Sequence, residues 1–184
     1  MPFGWEGQKV RLAPLDRERH LENALLWLND PQTTEWMLTG DWPLTRLAEE
    51  EYFERMMRQD DTDLAFAIET LDGVHIGFSG INQIEWRHGV GTTGTVIGPA
   101  DFRGKGYGSD SIVVRTRYAF EVLGLRQLLS SVFADNGASY RALLKAGYRE
   151  IGRYPRRYWK RGAYRDIIRL VIERDAWPAG GAAR

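Results

Sequence analysis

Apolar and polar positions alternate in two distinct periods along this chain, and the change from one period to the other divides it into elements. Val10 to Leu12, closed by Pro14, reads as a short strand, and Asp16 is placed to cap a helix from about Arg17 to Leu28 that Asp30-Pro31 stops. Trp42-Pro43 closes a loop, after which Thr45 caps a second helix with Leu47, Tyr52, Phe53 and Met56 near helical spacing. The Glu49-Glu50-Glu51 run on that helix reads as a solvated face. From Leu64 the period shortens to two: Leu64 to Ile68 and Val74 to Ile84, joined at Asp72-Gly73, predict a hairpin, and Thr92 to Ile97 a further strand. A helix follows from Gly106 to Val122, with Ile112, Thr116, Ala119, Phe120 and Leu123 forming a stripe suited to packing on a sheet and Gly124 ending it. Gln127 to Phe133 is strand-like, Asn136 to Ala146 helical, and Tyr148 to Trp159 with Tyr164 to Glu173 reads as a long hairpin turning at Arg161-Gly162. The pattern predicts one mixed α/β domain over residues 8–177, its strands in a single sheet with helices packed over it, and a disordered Gly- and Ala-rich tail over 178–184.

Composition narrows the chemistry. The 184 residues are 43% hydrophobic, enough for one sizeable core. Lys plus Arg and Asp plus Glu both total 25, so no global basic field points to nucleic acid or an anionic membrane. Cysteine is absent, which removes disulfides, thiolate metal sites and a cysteine nucleophile. His20, His75 and His88 show no metal-ligand spacing, and no metal is expected. The first residues lack a basic region followed by an apolar run, and no stretch reaches the roughly 18 apolar residues of a membrane span, so a cytoplasmic location is expected.

The most informative segment runs from Val96-Ile97-Gly98 through Arg103-Gly104-Lys105-Gly106-Tyr107-Gly108, a strand, a Gly-rich turn and a helix start. Glycines allow positive φ and close approach, and free N–H groups at a helix N-terminus hold phosphates. A Walker A loop fails because Lys105 precedes Gly106 rather than Ser or Thr, and a dinucleotide fingerprint counted from Gly104 would need glycine where Ser109 stands. What remains, Arg103-x-x-Gly106-x-Gly108, resembles the acetyl-CoA pyrophosphate loop of the GNAT superfamily of N-acetyltransferases. Tyr118 to Leu125 is similar to the end of that family's central helix, and Asn136-x-x-Ser139 followed by Leu143 to Tyr148 to its CoA-side helix. Asn29-Asp30-Pro31, Phe66-Ala67-Ile68 and Ile76-Gly77 fit the branch resembling ribosomal-protein N-terminal and spermidine acetyltransferases.

The resemblance covers roughly Val10 to Trp177 and implies a mostly antiparallel central sheet with helices on both faces. It implies acetyl-CoA as co-substrate and an amine acceptor, either a small molecule or a protein N-terminus. Val96, Ile97 and Gly98 would pair their backbone with the pantetheine arm at a splay or bulge, Arg103 to Gly108 would hold the pyrophosphate, Asn136 would contact pantetheine or help fix the following helix, and Ser139 would sit beside the sulfur. Capping is the plainer use of Asn136 and Ser139. Without cysteine, direct transfer in a ternary complex is expected.

The sequence departs from the family where acid and base are usually found. Leu143 stands where many members have a tyrosine acid, leaving the Ser139 hydroxyl; Ile151 precedes Gly152 where the branch can carry glutamate, with Glu150 one position off; Thr92 and Thr93 replace strand carboxylates. Glu85 and His88, just before that strand, are the base candidates, with a water relay as the alternative. Trp27, Trp36, Trp42 and Trp86 fall in the half where the family builds its acceptor site. These gaps keep a second class open, an acyl-CoA-binding sensor or interaction module without turnover. A third, RNA association through the basic final hairpin, ranks last, since cations lying along a strand pair are the plainer reading. Members of the branch often dimerise, so a homodimer is among the assemblies implied; the sequence marks no interface.

Overall fold

The computed structural model describes residues 5–38, 40–58 and 61–177; the tail over 178–184 lies outside them. Polar caps set the helix starts where the sequence places them. Asp16 accepts the Arg19 N–H at 3.1 Å to open α1 (Arg17–Leu28), and Thr45 accepts the Ala48 N–H at 3.2 Å to open α3 (Arg46–Met57). Asp30-Pro31 does more than stop α1. Asp30 accepts the Gln32 and Thr33 N–H groups, and with proline tolerated in a first turn, a short α2 (Pro31–Thr34) forms.

Among the described residues seven strands make one sheet: β1 (Val10–Pro14), β2 (Leu64–Thr70), β3 (His75–Glu85), β4 (Val90–Ile97), β5 (Gln127–Phe133), β6 (Arg149–Lys160) and β7 (Ala163–Glu173). Their order is β1-β2-β3-β4-β5-β7-β6, and every neighbouring pair is antiparallel except β4 with β5. The parallel step requires a crossover, supplied by α4 (Tyr107–Arg117). That helix does not run α-helical to Val122 as its apolar stripe predicts: it loosens into a π-helical turn over Tyr118–Val122 before Gly124. A fifth helix, α5 (Gly137–Lys145), joins β5 to β6.

Strand alternation gives the sheet two buried faces. On one, Ile81, Leu128, Val132, Ile168 and Leu170 pack with Ile112 and Phe120 of the α4 segment and Leu143 of α5. On the other, Phe78 joins Leu21 and Ala24 of α1 and Phe53 of α3. Helices therefore lie on both faces of a mostly antiparallel sheet.

Candidate active site

The site begins at a defect in the ladder. β4 pairs with β5 only from Val90 to Thr93, against Gln127 to Ser130. Beyond Thr93, β4 stays with β3 as far as Ile97, while β5 stays with β7 as far as Phe133. The strands therefore part into a wedge. The Gly98 N–H donates to the Ile76 carbonyl on β3 at 3.0 Å. By ladder alternation, the Thr95 and Ile97 N–H groups turn the other way, into the wedge. Open sheet edges inside a protein are costly unless something pairs with them.

The turn at the end of β4 is built for close approach. A Cβ on Gly98 would lie 2.0 Å from Cδ2 of Trp27, so only glycine lets β4 run under that buried indole. Gly106 caps α4 in the left-handed conformation, φ 91°, with no side-chain cap. The first N–H groups of α4 are thus left facing outward at the positive end of its dipole. Lys9 reaches this loop from the start of β1: its Nζ donates to the Lys105 carbonyl at 3.0 Å and lies 3.8 Å from where a Gly106 Cβ would stand. The Asp110 carboxylate anchors that approach by accepting the backbone N–H groups of Gln8, Lys9 and Val10 at 3.2, 2.7 and 3.0 Å. Nothing in the local sequence marks Lys9 or Asp110, because the contact joins segments about a hundred residues apart.

Arg103 is used differently from the phosphate ligand suggested by the motif. Its Nε donates to the Ile97 carbonyl at 3.1 Å, and its Nη2 to the Thr33 hydroxyl at 2.7 Å and to the Gly98 carbonyl. The guanidinium clamps the end of β4 to α2. Asn136 accepts the Ser139 N–H at 3.1 Å as the cap of α5, and both residues line the cavity in front of the wedge; the Ser139 hydroxyl has no partner among the described residues.

That cavity, about 660 Å³, extends from the wedge to the face covered by α1 and α3. Thr92, Thr93 and Val96 line it; Glu85 and His88 do not, Glu85 ending β3 opposite Val90 and His88 lying in the turn before β4, both exposed and at the opposite end of β4 from the wedge. Trp36 lines it, Trp27 is core, and Trp42 and Trp86 are exposed. The basic hairpin is largely engaged in pairs, with Lys160 and Arg161 on Asp41 at 2.6 and 2.7 Å and Arg165 on Asp135 at 2.6 Å.

Two cavity residues were passed over in the sequence. Glu49 is not solvated like the rest of its run. It is 4% exposed, lines the cavity, and burial raises its carboxyl above the ordinary value. Its spacing to Phe53 and Met56, four and seven residues on, is the helical signal that would have placed it on the buried face. Arg115, 1% exposed, donates to the Gly94 carbonyl at 2.7 Å and the Thr95 hydroxyl at 2.6 Å, and its Nε has no hydrogen-bond partner among the described residues. It falls on the α4 stripe three residues after Ile112.

A sheet parted at its single parallel step, with a Gly-rich turn leading to an uncapped helix, defines a class of acyl-transfer folds. The model of the acetyltransferase (GNAT) domain matches residues 9–149, and the chain belongs to that family. It is 34% identical over 95 residues to an uncharacterized N-acetyltransferase, YoaA, of Bacillus subtilis (strain 168), an alignment covering 51% of this chain and 53% of that protein. The chain thus matches about half the length of that relative. The fold is shared with the spermidine N-acetyltransferase of Vibrio cholerae in complex with CoA and spermine, at TM-score 0.84 and 20% identity over 91% of this chain and 96% of that one. A GCN5-related N-acetyltransferase of Brucella melitensis aligns at TM-score 0.76 and 24% identity over 95% and 80% of the two chains. Among the described residues no helix is long and apolar enough to cross a membrane.

Proposed function

We propose that residues 8–177 form an N-acetyltransferase that moves the acetyl group of acetyl-CoA to a primary amine, of a small molecule or a protein N-terminus, by direct transfer. The observation that carries the reading is the wedge after Thr93, opening beside the uncapped start of α4. The residues fit a pantetheine pyrophosphate. The wedge offers the Thr95 and Ile97 N–H groups to an extended amide-bearing arm, and the α4 N-terminus, with Lys9 nearby, offers dipole and charge to an anion.

In this reading the backbone from Thr95 to Gly98 orients the arm, one of its N–H groups steadies the oxyanion, and Gly104 to Gly108 receive the pyrophosphate. Arg103 contributes by fixing the strand end, and Asn136 by holding the first turn of α5. Acetyl-CoA supplies the thioester carbon; the amine must reach it neutral, and a lysine-like amine of pKa about 10.4 has first to lose a proton. The unpartnered Ser139 hydroxyl suits protonation of the departing sulfur.

The test is acetyl-CoA-dependent thiol release against polyamines, aminoglycosides, amino acids and N-terminal peptides, with acetyl-CoA binding followed in parallel. Release stimulated by one class of amine is expected. Tight binding with no stimulated release would favour the sensor reading.

A further inference from the structure

The charges lining the cavity are few and uneven. Among the described residues lining it, Glu49 supplies the one carboxylate, against the guanidiniums of Arg115 and Arg169. Arg115 is engaged with β4 and Ser79 beneath the wedge. Arg169 is not engaged. Its neighbours Ile168 and Leu170 enter the core under α4 and α5, so alternation turns Arg169 to the opposite face, the one that α1 and α3 cover. Glu49 reaches the same cavity from α3. Neither the Glu49 carboxylate nor the Arg169 guanidinium has a hydrogen-bond or ion-pair partner among the described residues, and they do not pair with each other.

The Glu49 side chain, 4% exposed and opening on the cavity, is costly to hold as a charge without a partner and is stabilised by a cation that enters there. One open negative and one open positive group on the acceptor side call for a ligand with both charges. Trp36 and Tyr52 line the same space, each with a guanidinium already over one ring face, Arg165 at 4.8 Å and Arg55 at 5.5 Å, so the ammonium is assigned to the Glu49 carboxylate rather than to the rings. A polyamine would instead bring several ammonium groups to a cavity holding one carboxylate and two guanidiniums.

Building on the acetyltransferase reading, we propose that the acceptor is an amine that also carries an anion, carboxylate or phosphate, with its ammonium against Glu49 and its anion on Arg169. Guanidinium binds either anion through paired N–H donors.

Thiol release from the acetyl-CoA-saturated protein is measured with the protein amino acids, their carboxamides, O-phosphoethanolamine and spermidine. Acceptors bearing an anion are expected to exceed the carboxamides and spermidine at least tenfold in kcat/KM, and the ratio of amino acid to phosphoethanolamine says which anion is preferred. Arg169→Gln should erase the advantage of acid over carboxamide, chiefly through KM, while Glu49→Gln raises KM for both alike; unchanged acetyl-CoA affinity certifies that each variant is folded. Preference for spermidine or carboxamide, an advantage that survives Arg169→Gln, or acetyl-CoA binding without release to any anion-bearing amine would overturn the inference alone. Failure to bind acetyl-CoA would remove the transferase reading itself.

Discussion

Two residues carry separable demands at the wedge. Ser139 faces the cavity with its hydroxyl uncommitted while its backbone N–H is already spent on Asn136. Ser139→Ala should therefore leave the α5 cap and acetyl-CoA affinity nearly intact but lower turnover about a hundredfold, the low end of general-acid effects, as read by kcat beside a binding titration. Unaltered turnover would eliminate the hydroxyl from the chemistry. Gly98 answers to packing: Gly98→Ala drives a Cβ into the Trp27 ring and should cost about 1–3 kcal/mol in urea unfolding. Combining it with Trp27→Leu should recover part of that loss, because the two changes share one contact. Both positions were legible from the family's pattern, yet the reason for Gly98 was not. A sequence shows that a glycine is present, whereas the indole that requires it arrives from α1.

Among elements, α4 holds the site together from both ends. Its first turn accepts the backbone of Gln8, Lys9 and Val10 through Asp110, and its last turns send Arg115 to Gly94 and Thr95 on β4. Arg115→Met keeps an apolar, unbranched stem but removes the guanidinium and leaves those β4 acceptors without a donor. It should destabilise the fold by about 2 kcal/mol and weaken acetyl-CoA binding severalfold, checked by thermal unfolding and calorimetry. The elements were the most legible part of the chain, because period and caps agree: Asp16, Thr45 and Asn136 cap α1, α3 and α5 as read. The departures were tertiary. Glu49 was assigned to solvent from its acidic neighbours although its helical spacing to Phe53 and Met56 pointed inward, and Glu85 and His88 were grouped with the site by sequence proximity, whereas β4 carries them to its far end.

At the scale of the whole molecule, stability depends on a pair of neighbouring histidines between α1 and β3, His20 buried and His75 half-buried. His20 is fully buried, accepts the Asp16 N–H at its Nδ1 at 2.9 Å, and has its Nε2 3.2 Å from Glu69; burial lowers its pKa. His75 stacks 4.5 Å from it, and burial, with His20 beside it, lowers its pKa to about 4. Both are neutral in the fold, while an unfolded histidine takes up a proton near pH 6.5. Between pH 6.5 and 4 the unfolded chain therefore binds more protons, so stability is complete above that window and falls as pH drops through it. His75 should account for much of that loss, measured by urea unfolding between pH 7 and pH 5, and His75→Asn should flatten the slope. A profile unchanged by that substitution would contradict the assignment.

Whether the wedge and the start of α4 receive acetyl-CoA is tested most directly by a calorimetric titration of acetyl-CoA into the wild-type chain and into Gly108→Val. Gly108 lies in the first turn of α4, where a branched side chain would cover the outward N–H groups that the pyrophosphate is expected to meet. The account predicts stoichiometric binding by the wild type and at least a tenfold loss in the folded variant. Equal affinity in the two proteins, or no binding by the wild type, would contradict it.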